Sequence, residues 1–239
     1  ISENIKNFEE TIINLKNLST KGIKCDTLVL FDKFSKENKL LKVDHLNSVF
    51  FYENFNKKYS TNYKYYFNEE NKNLTLKNDI VEIDSSIYIP KGYKITITPG
   101  QKIFLINKAF IISNSPWKIG GKEKKVVISG KKDNHGGGIL IGDTKELSNI
   151  ENTEFLYLSG YDFKKNHEHI ILGSINFHQT KVDIKKTIFK NIFSEDAINI
   201  FRSNFKIFDV EVYDIFSDAI DIDFSDGLIS GANLININN

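Results

Sequence analysis

Apolar and polar residues alternate in short runs along the C-terminal part of the chain: Val182 and Ile184, Ile198 and Ile200, Val210 and Val212, then Ile220, Ile222 and Phe224. A two-residue period is the pattern of a strand with one buried face, so these runs predict strands whose apolar side chains, Phe224 included, point inward. The runs also repeat. Ser194-Glu195-Asp196-Ala197-Ile198-Asn199-Ile200-Phe201 returns as Phe216-Ser217-Asp218-Ala219-Ile220-Asp221-Ile222-Asp223, with Asp218 22 residues after Asp196. Val182-Asp183-Ile184 is answered by Phe205-Lys206-Ile207 and again by Gly227-Leu228-Ile229. In paired hairpins a tight turn would join neighbouring runs, whereas here a full unit passes before the same pattern recurs. The expected arrangement is a stack of coils in which equivalent strands pair in parallel, about 4.8 Å apart. Ile198 then sits beneath Ile220 in the interior. Asn191, Asp214 and Asn236 form a second column, expected to be buried and to hydrogen-bond turn backbone groups that have no ladder partner.

The same pattern can be followed backwards. Ile87-Tyr88-Ile89, Lys94-Ile95-Thr96-Ile97 and Lys102-Ile103 are alternating strands separated by Pro90-Lys91-Gly92 and Pro99-Gly100, both able to bend the chain. Trp117–Gly121, Val126–Gly130 and Gly138–Gly142 continue the series, and Ser148-Asn149-Ile150 matches Val182-Asp183-Ile184. The excess length of that unit falls at residues 161–169, expected to bulge as a loop. Ahead of the coils, Ile5, Phe8, Ile12 and Leu15 carry the stripe of an amphipathic helix, and Thr27–Phe31 and Ser48–Tyr52 have strand character. Aromatic residues crowd residues 51–67, and Asn68–Asn73 is a polar turn closing a hairpin. Stacked coils need their open ends covered by non-repeating structure. The predicted fold is therefore an all-β solenoid, a right-handed single-stranded parallel β-helix over 79–239, capped by an α+β region over 1–78. The last coil is expected to be incomplete.

Composition narrows the partners. The 32 basic and 31 acidic residues leave a formal charge of +1, which removes the general case for nucleic acid or an anionic membrane. Cys25 is the single cysteine, so no internal disulfide forms, and no Cys/His set has zinc spacing. No apolar run reaches the roughly 20 residues of a membrane span. Methionine is absent and the chain starts at Ile1, as expected of an excised or processed piece.

The Ile89–Ile103 stretch, the coil from Lys122 to Gly142 and the paired Ser194–Ser203 and Phe216–Gly227 units resemble parallel β-helix domains of the pectate-lyase-like superfamily. They are similar to uncharacterised bacterial β-helix repeat proteins, some attached to spore-coat-protein-H-like kinase segments. The resemblance covers residues 80–239. It implies the fold and an extracellular or cell-envelope location, with a polysaccharide or another domain of the parent protein as partner. The superfamily includes lyases, epimerases, hydrolases and inert scaffolds, so the resemblance does not choose among activities.

Candidate chemistry lies on the outward row of the last repeats. With Ile220 and Ile222 inward, Asp221 and Asp223 point outward about 7 Å apart, flanked by Asp218 and Asp226. Asp218, Asp221 and Asp223 could hold a hard cation such as Ca²⁺, with Asn199 supplying oxygen from the adjacent coil. By resemblance to lyases that bridge a uronate through Ca²⁺, Arg202 is the candidate base. His178 shares a column with Phe201 and Asp223 and is the candidate acid/base. The catalytic candidates are thus Asp221, Asp223, Arg202 and His178, with Asn199 and Phe201 as substrate-binding candidates. The same residues also fit solvated turn aspartates and an ordinary strand histidine. His135, His167 and His169 lack the spacing of a helical zinc motif, and Gly136-Gly137-Gly138 lacks a following Lys-Ser/Thr, so the glycines are expected to turn a coil corner. Two functions follow: a non-catalytic scaffold or carbohydrate-binding domain, or a polysaccharide lyase, epimerase or hydrolase.

Overall fold

The alternating runs fold into stacked coils. The structure is a computed structural model that describes residues 27–31, 38–42, 61–161 and 173–237, the first two segments as backbone only. The chain divides into two units, Ile1–Glu53 and Asn54–Asn239. In the first unit Thr27–Phe31, a strand as its apolar run predicts, pairs antiparallel with Asn38–Lys42. The amphipathic stripe over 1–18, the Ser48–Tyr52 run, the aromatic residues from Phe51 to Tyr59 and the 161–169 loop beyond Tyr161 lie outside the described residues.

The second unit is a parallel β-solenoid of seven turns. Each complete coil supplies one strand to each of three sheets. The first sheet stacks Asn73–Leu76, Lys94–Ile97, Trp117–Gly120, Leu147–Glu151, Lys181–Lys185, Asn204–Phe208 and Asp226–Ser230. The second sheet runs from Ile80–Ile83 through Lys102–Leu105, Val126–Ser129, Thr153–Leu156, Ile188–Ile192 and Glu211–Ile215 to Asn233–Ile237. The third holds Ile87–Ile89, Phe110–Ser113, Gly138–Gly142, Gly173–His178, Asp196–Phe201 and Asp218–Asp223. At the start of the first sheet Phe67–Glu70 pairs antiparallel with Asn73–Leu76 through a two-residue turn at Asn71 and Lys72, both with positive φ, as this class of hairpin turn demands.

The register follows the repeat. Val182, Phe205 and Gly227 stack in one column, and Ile184, Ile207 and Ile229 in another. Ile198 lies under Ile220. Inward columns merge into one apolar core that includes Ile150, Ile184, Ile198, Ile200 and Ile207, with Phe155 and Phe189 stacked at 4.9 Å and 13° between planes.

What bends the coil is a left-handed residue at each of three corners. Asp143, Gln179, Arg202 and Phe224 follow successive strands of the third sheet, with φ of 51, 51, 48 and 50°. Asn152, Lys186, Asp209 and Gly231 do so after the first sheet. Tyr157, Asn191, Asp214 and Asn236 occupy the third corner, within or just after the second sheet's strands. This corrects the expectation for the asparagine column: Asn191 is half-buried and Asp214 and Asn236 are exposed. The left-handed backbone swings these side chains outward, where the Asn236 amide donates to Asp214 Oδ1 (3.1 Å) on the coil beside it.

A hydroxyl residue follows the left-handed one at the third-sheet corners of Asp143, Gln179, Arg202 and Phe224, and after Asn152 and Lys186 at the first-sheet corners. Ser203 Oγ accepts from the Thr180 amide (3.1 Å) and Ser225 Oγ from the Ser203 amide (2.9 Å); Ser115 does the same for Tyr93 (3.1 Å). At the first-sheet corners Thr153 and Thr187 donate to the carbonyls of Glu151 and Lys185. These hydroxyls occupy backbone groups that the turn removes from the sheet ladder. The glycine run does turn a corner: at Gly138 (φ 143°) a Cβ would lie 2.1 Å from the Ser174 carbonyl oxygen.

Candidate functional site

The third sheet differs from the other two. In the other sheets buried and exposed positions alternate, whereas strands of the third sheet are buried on both faces through Asp196–Ile200. One consequence is a polar column, Asn176, Asn199 and Asp221, on the side facing away from Ile198 and Ile200. Asn176 folds back on its own strand, accepting from the Gly173 amide (2.9 Å) and donating to the Gly173 carbonyl (2.7 Å). Asp196 stands one coil on from Gly173, so the same role passes from backbone to side chain.

Asn199 joins three polar side chains. Its Nδ2 donates to Asp196 Oδ2 and to Asp221 Oδ2, each at 3.0 Å, and its Oδ1 lies 3.1 Å from His178 Nε2. Because both amide hydrogens go to carboxyl oxygens, Oδ1 is left as the acceptor, and His178 must present Nε2–H to it. Asn199 and His178 are each 5% exposed and Asp196 2%. Burial pushes Asp196 up to about 7, with the Asp221, Glu195 and Asp218 charges adding to the effect and the Asn199 hydrogen bond opposing it. Burial also raises Asp221, assisted by Asp223, and holds His178 at about 4, in the neutral form at physiological pH.

The sequence-predicted residues therefore fall into two groups. His178, Asn199 and Asp221 converge in one hydrogen-bonded network, and Asp196, which the repeat marked but the outward-row reasoning passed over, is its fourth member. The signal for it was the departure from strict alternation at Asp196-Ala197, where a carboxyl replaces the Gly173 backbone. Asp223, Phe201 and Arg202 lie at the next corner. Asp223 is exposed, and the Arg202 guanidinium carbon sits 4.9 Å from the Phe201 ring centre and 5.9 Å from that of Phe224. Phe201 itself touches His178 (5.6 Å, tilted) and Phe224 (5.8 Å, edge to face).

Phe224 does not point inward with Ile220 and Ile222. It occupies the left-handed corner position and is 81% exposed, because the alternation ends where the strand turns. Among the described residues no three His, Cys, Asp or Glu side chains come together in a way that could hold a metal ion. Asp221 accepts from Asn199, while Asp218 and Asp223 are exposed. His135 is stacked on Phe193 at 4.1 Å and 11°, away from this network, while His167 and His169 are outside the described residues.

Among the described residues no helix is long and apolar enough to cross a membrane. No family model, curated protein or solved structure matches the chain.

Proposed function

We propose that this chain is a non-catalytic carbohydrate-binding β-solenoid, one domain of a larger secreted or cell-surface protein, and that it is related to the pectate-lyase-like β-helices it resembles. The observation that carries this reading is the aromatic pair of half-buried Phe201 and exposed Phe224, on adjoining coils at one corner with Arg202 against their faces. Corner positions favour Gly, Asn and Asp on backbone grounds, so a phenylalanine at φ 50° is a costly choice for folding alone. Aromatic faces beside charged groups suit a ring that offers C–H bonds to one side and hydroxyls to the other. Affinity electrophoresis through gels containing neutral, acidic and amine-bearing polysaccharides tests it. Retardation in at least one gel, abolished in Phe201→Ala/Phe224→Gly, is the expected result. Unretarded migration in every gel contradicts the proposal.

A second reading rests on a different observation. Asp196, held near neutrality beside Asp221, is a carboxyl pair of the kind hydrolases use, the two oxygens both bonded to one amide nitrogen. Its near-complete burial argues against direct contact with a polymer. A reducing-end assay that detects product from the wild type and none from Asp196→Asn would restore it.

A further inference from the structure

The third sheet's last two strands are framed by two aromatic rails. One is the Phe201 and Phe224 pair already described. The other lies at the opposite corner, where Phe193 and Phe216 follow the stacked residues Ile192 and Ile215. Phe216 is 66% exposed, and Phe193, 45% exposed, is backed by the His135 ring. Between the rails runs an acidic floor. Its exposed carboxylates are Glu195, Asp218 and Asp223, with Asp221 half-buried beside them and Arg202 the single cation of the stretches 193–203 and 216–226; Asp196 is buried in the Asn199 network. Among the described residues none of these carboxylates has a Lys, Arg or His within ion-pair distance, and Arg202 is spent on the aromatic faces.

We infer that the carbohydrate this face takes is an amine-bearing one, a polymer of protonated amino sugars lying along the strand from Phe216, over Asp218 and Asp223, to Phe224. The inference rests on the carbohydrate-binding reading and specifies its ligand. A strand of this length spans on the order of 17 Å, enough for several sugar units. Charge complementarity decides the class. An acidic sugar polymer would meet a floor of like charge with no cation to bridge it, whereas ammonium groups supply the counter-charges the floor lacks. The rails accept cations as well: the Phe201 and Phe224 faces already hold a guanidinium, and the Phe216 face has no ring or cation against it among the described residues.

The test is isothermal titration with three oligosaccharide probes of matched length at mildly acidic pH: a glucosamine oligomer, its N-acetylated counterpart and an oligogalacturonate. The expected result is binding of the glucosamine oligomer at least about tenfold tighter than of the N-acetylated form, weakening as salt is added. Phe216→Ala and Asp218→Asn/Asp223→Asn, all at exposed positions, should each reduce it while leaving the circular dichroism spectrum unchanged. Equal or tighter binding of the N-acetylated or uronate oligomer overturns the amine preference and leaves carbohydrate binding standing. Oligolysine bound as tightly as the glucosamine oligomer, with Phe216→Ala without effect on either, also overturns it, because the face is then only an ion exchanger. If no oligosaccharide binds, the parent reading fails and takes this one with it.

Discussion

Asp196 and His178 lie on opposite sides of the Asn199 amide, and burial acts on them in opposite senses. Asp196 moves from 3.8 to about 7, so between those values the folded chain keeps a proton that the unfolded chain has released. Its contribution to stability is fully present below about pH 4 and is lost as pH rises towards 7. His178 moves from 6.5 to about 4, so the unfolded chain takes up a proton that the folded chain refuses. Its contribution is present above about pH 6.5 and is lost as pH falls towards 4. At about 1.4 kcal/mol per unit, the two effects are about 4 and about 3 kcal/mol, and they nearly cancel across the shared window. Asp221, raised as well, adds to the Asp196 side. The wild type should therefore show a shallow pH profile from 4 to 6.5. Asp196→Asn keeps an acceptor for Asn199 and should uncover the histidine, with stability rising by about 3 kcal/mol between pH 4 and 6.5. His178→Gln should uncover the carboxyl, with stability falling by about 4 kcal/mol between pH 4 and 7. Urea-unfolding midpoints measured across this range for the wild type, both variants and the double variant read all four slopes. Two single variants that follow the wild-type profile would refute the linkage.

Other consequences follow from single positions. Phe189→Ala removes a fully buried ring stacked on Phe155 and should cost about 3–5 kcal/mol, read as a lowered melting temperature. Ser203→Ala strips the Thr180 amide of its acceptor and should cost about 1–3 kcal/mol by the same measurement. Phe224→Gly should stabilise the chain by roughly 1–2 kcal/mol through relief of the left-handed corner, while weakening glycan binding; a loss of stability would show that the exposed ring contributes to packing.

The solenoid was legible because its strands obey the two-residue period and its coils a repeat: pairing Ile198 with Ile220 and Val182 with Phe205 required only the spacing. The hairpin at Asn71 and Lys72 was visible in its polar turn. Harder to read were the corners. Asn191, Asp214 and Asn236 stood out as a column, but a column does not reveal that its backbone is left-handed, and that alone turned an expected interior ladder into an outward one. Phe224 was misplaced for the same reason, since hydrophobicity cannot show where a strand ends. The network around Asn199 was half legible: register brought His178, Asn199 and Asp221 together, whereas the role of Asp196 depends on a three-residue fold-back within its own strand, first made by Asn176 onto Gly173. Burial of the third sheet on both faces does show in the sequence, as the unbroken apolar runs Phe110-Ile111-Ile112 and Ile139-Leu140-Ile141 that depart from the alternation.

Binding without turnover is the central claim, and the fate of the bound polymer tests it most directly. The polysaccharide that retards the protein should be incubated with it in excess, recovered, and compared by chain-length distribution and by content of new reducing and unsaturated ends with polymer incubated alone. The account predicts a polymer that is retained by the wild type, released by Phe201→Ala/Phe224→Gly and chemically unchanged in both. Shortened chains or unsaturated ends produced by the wild type, and absent with Asp196→Asn, would contradict it and make the Asn199 network a catalytic centre.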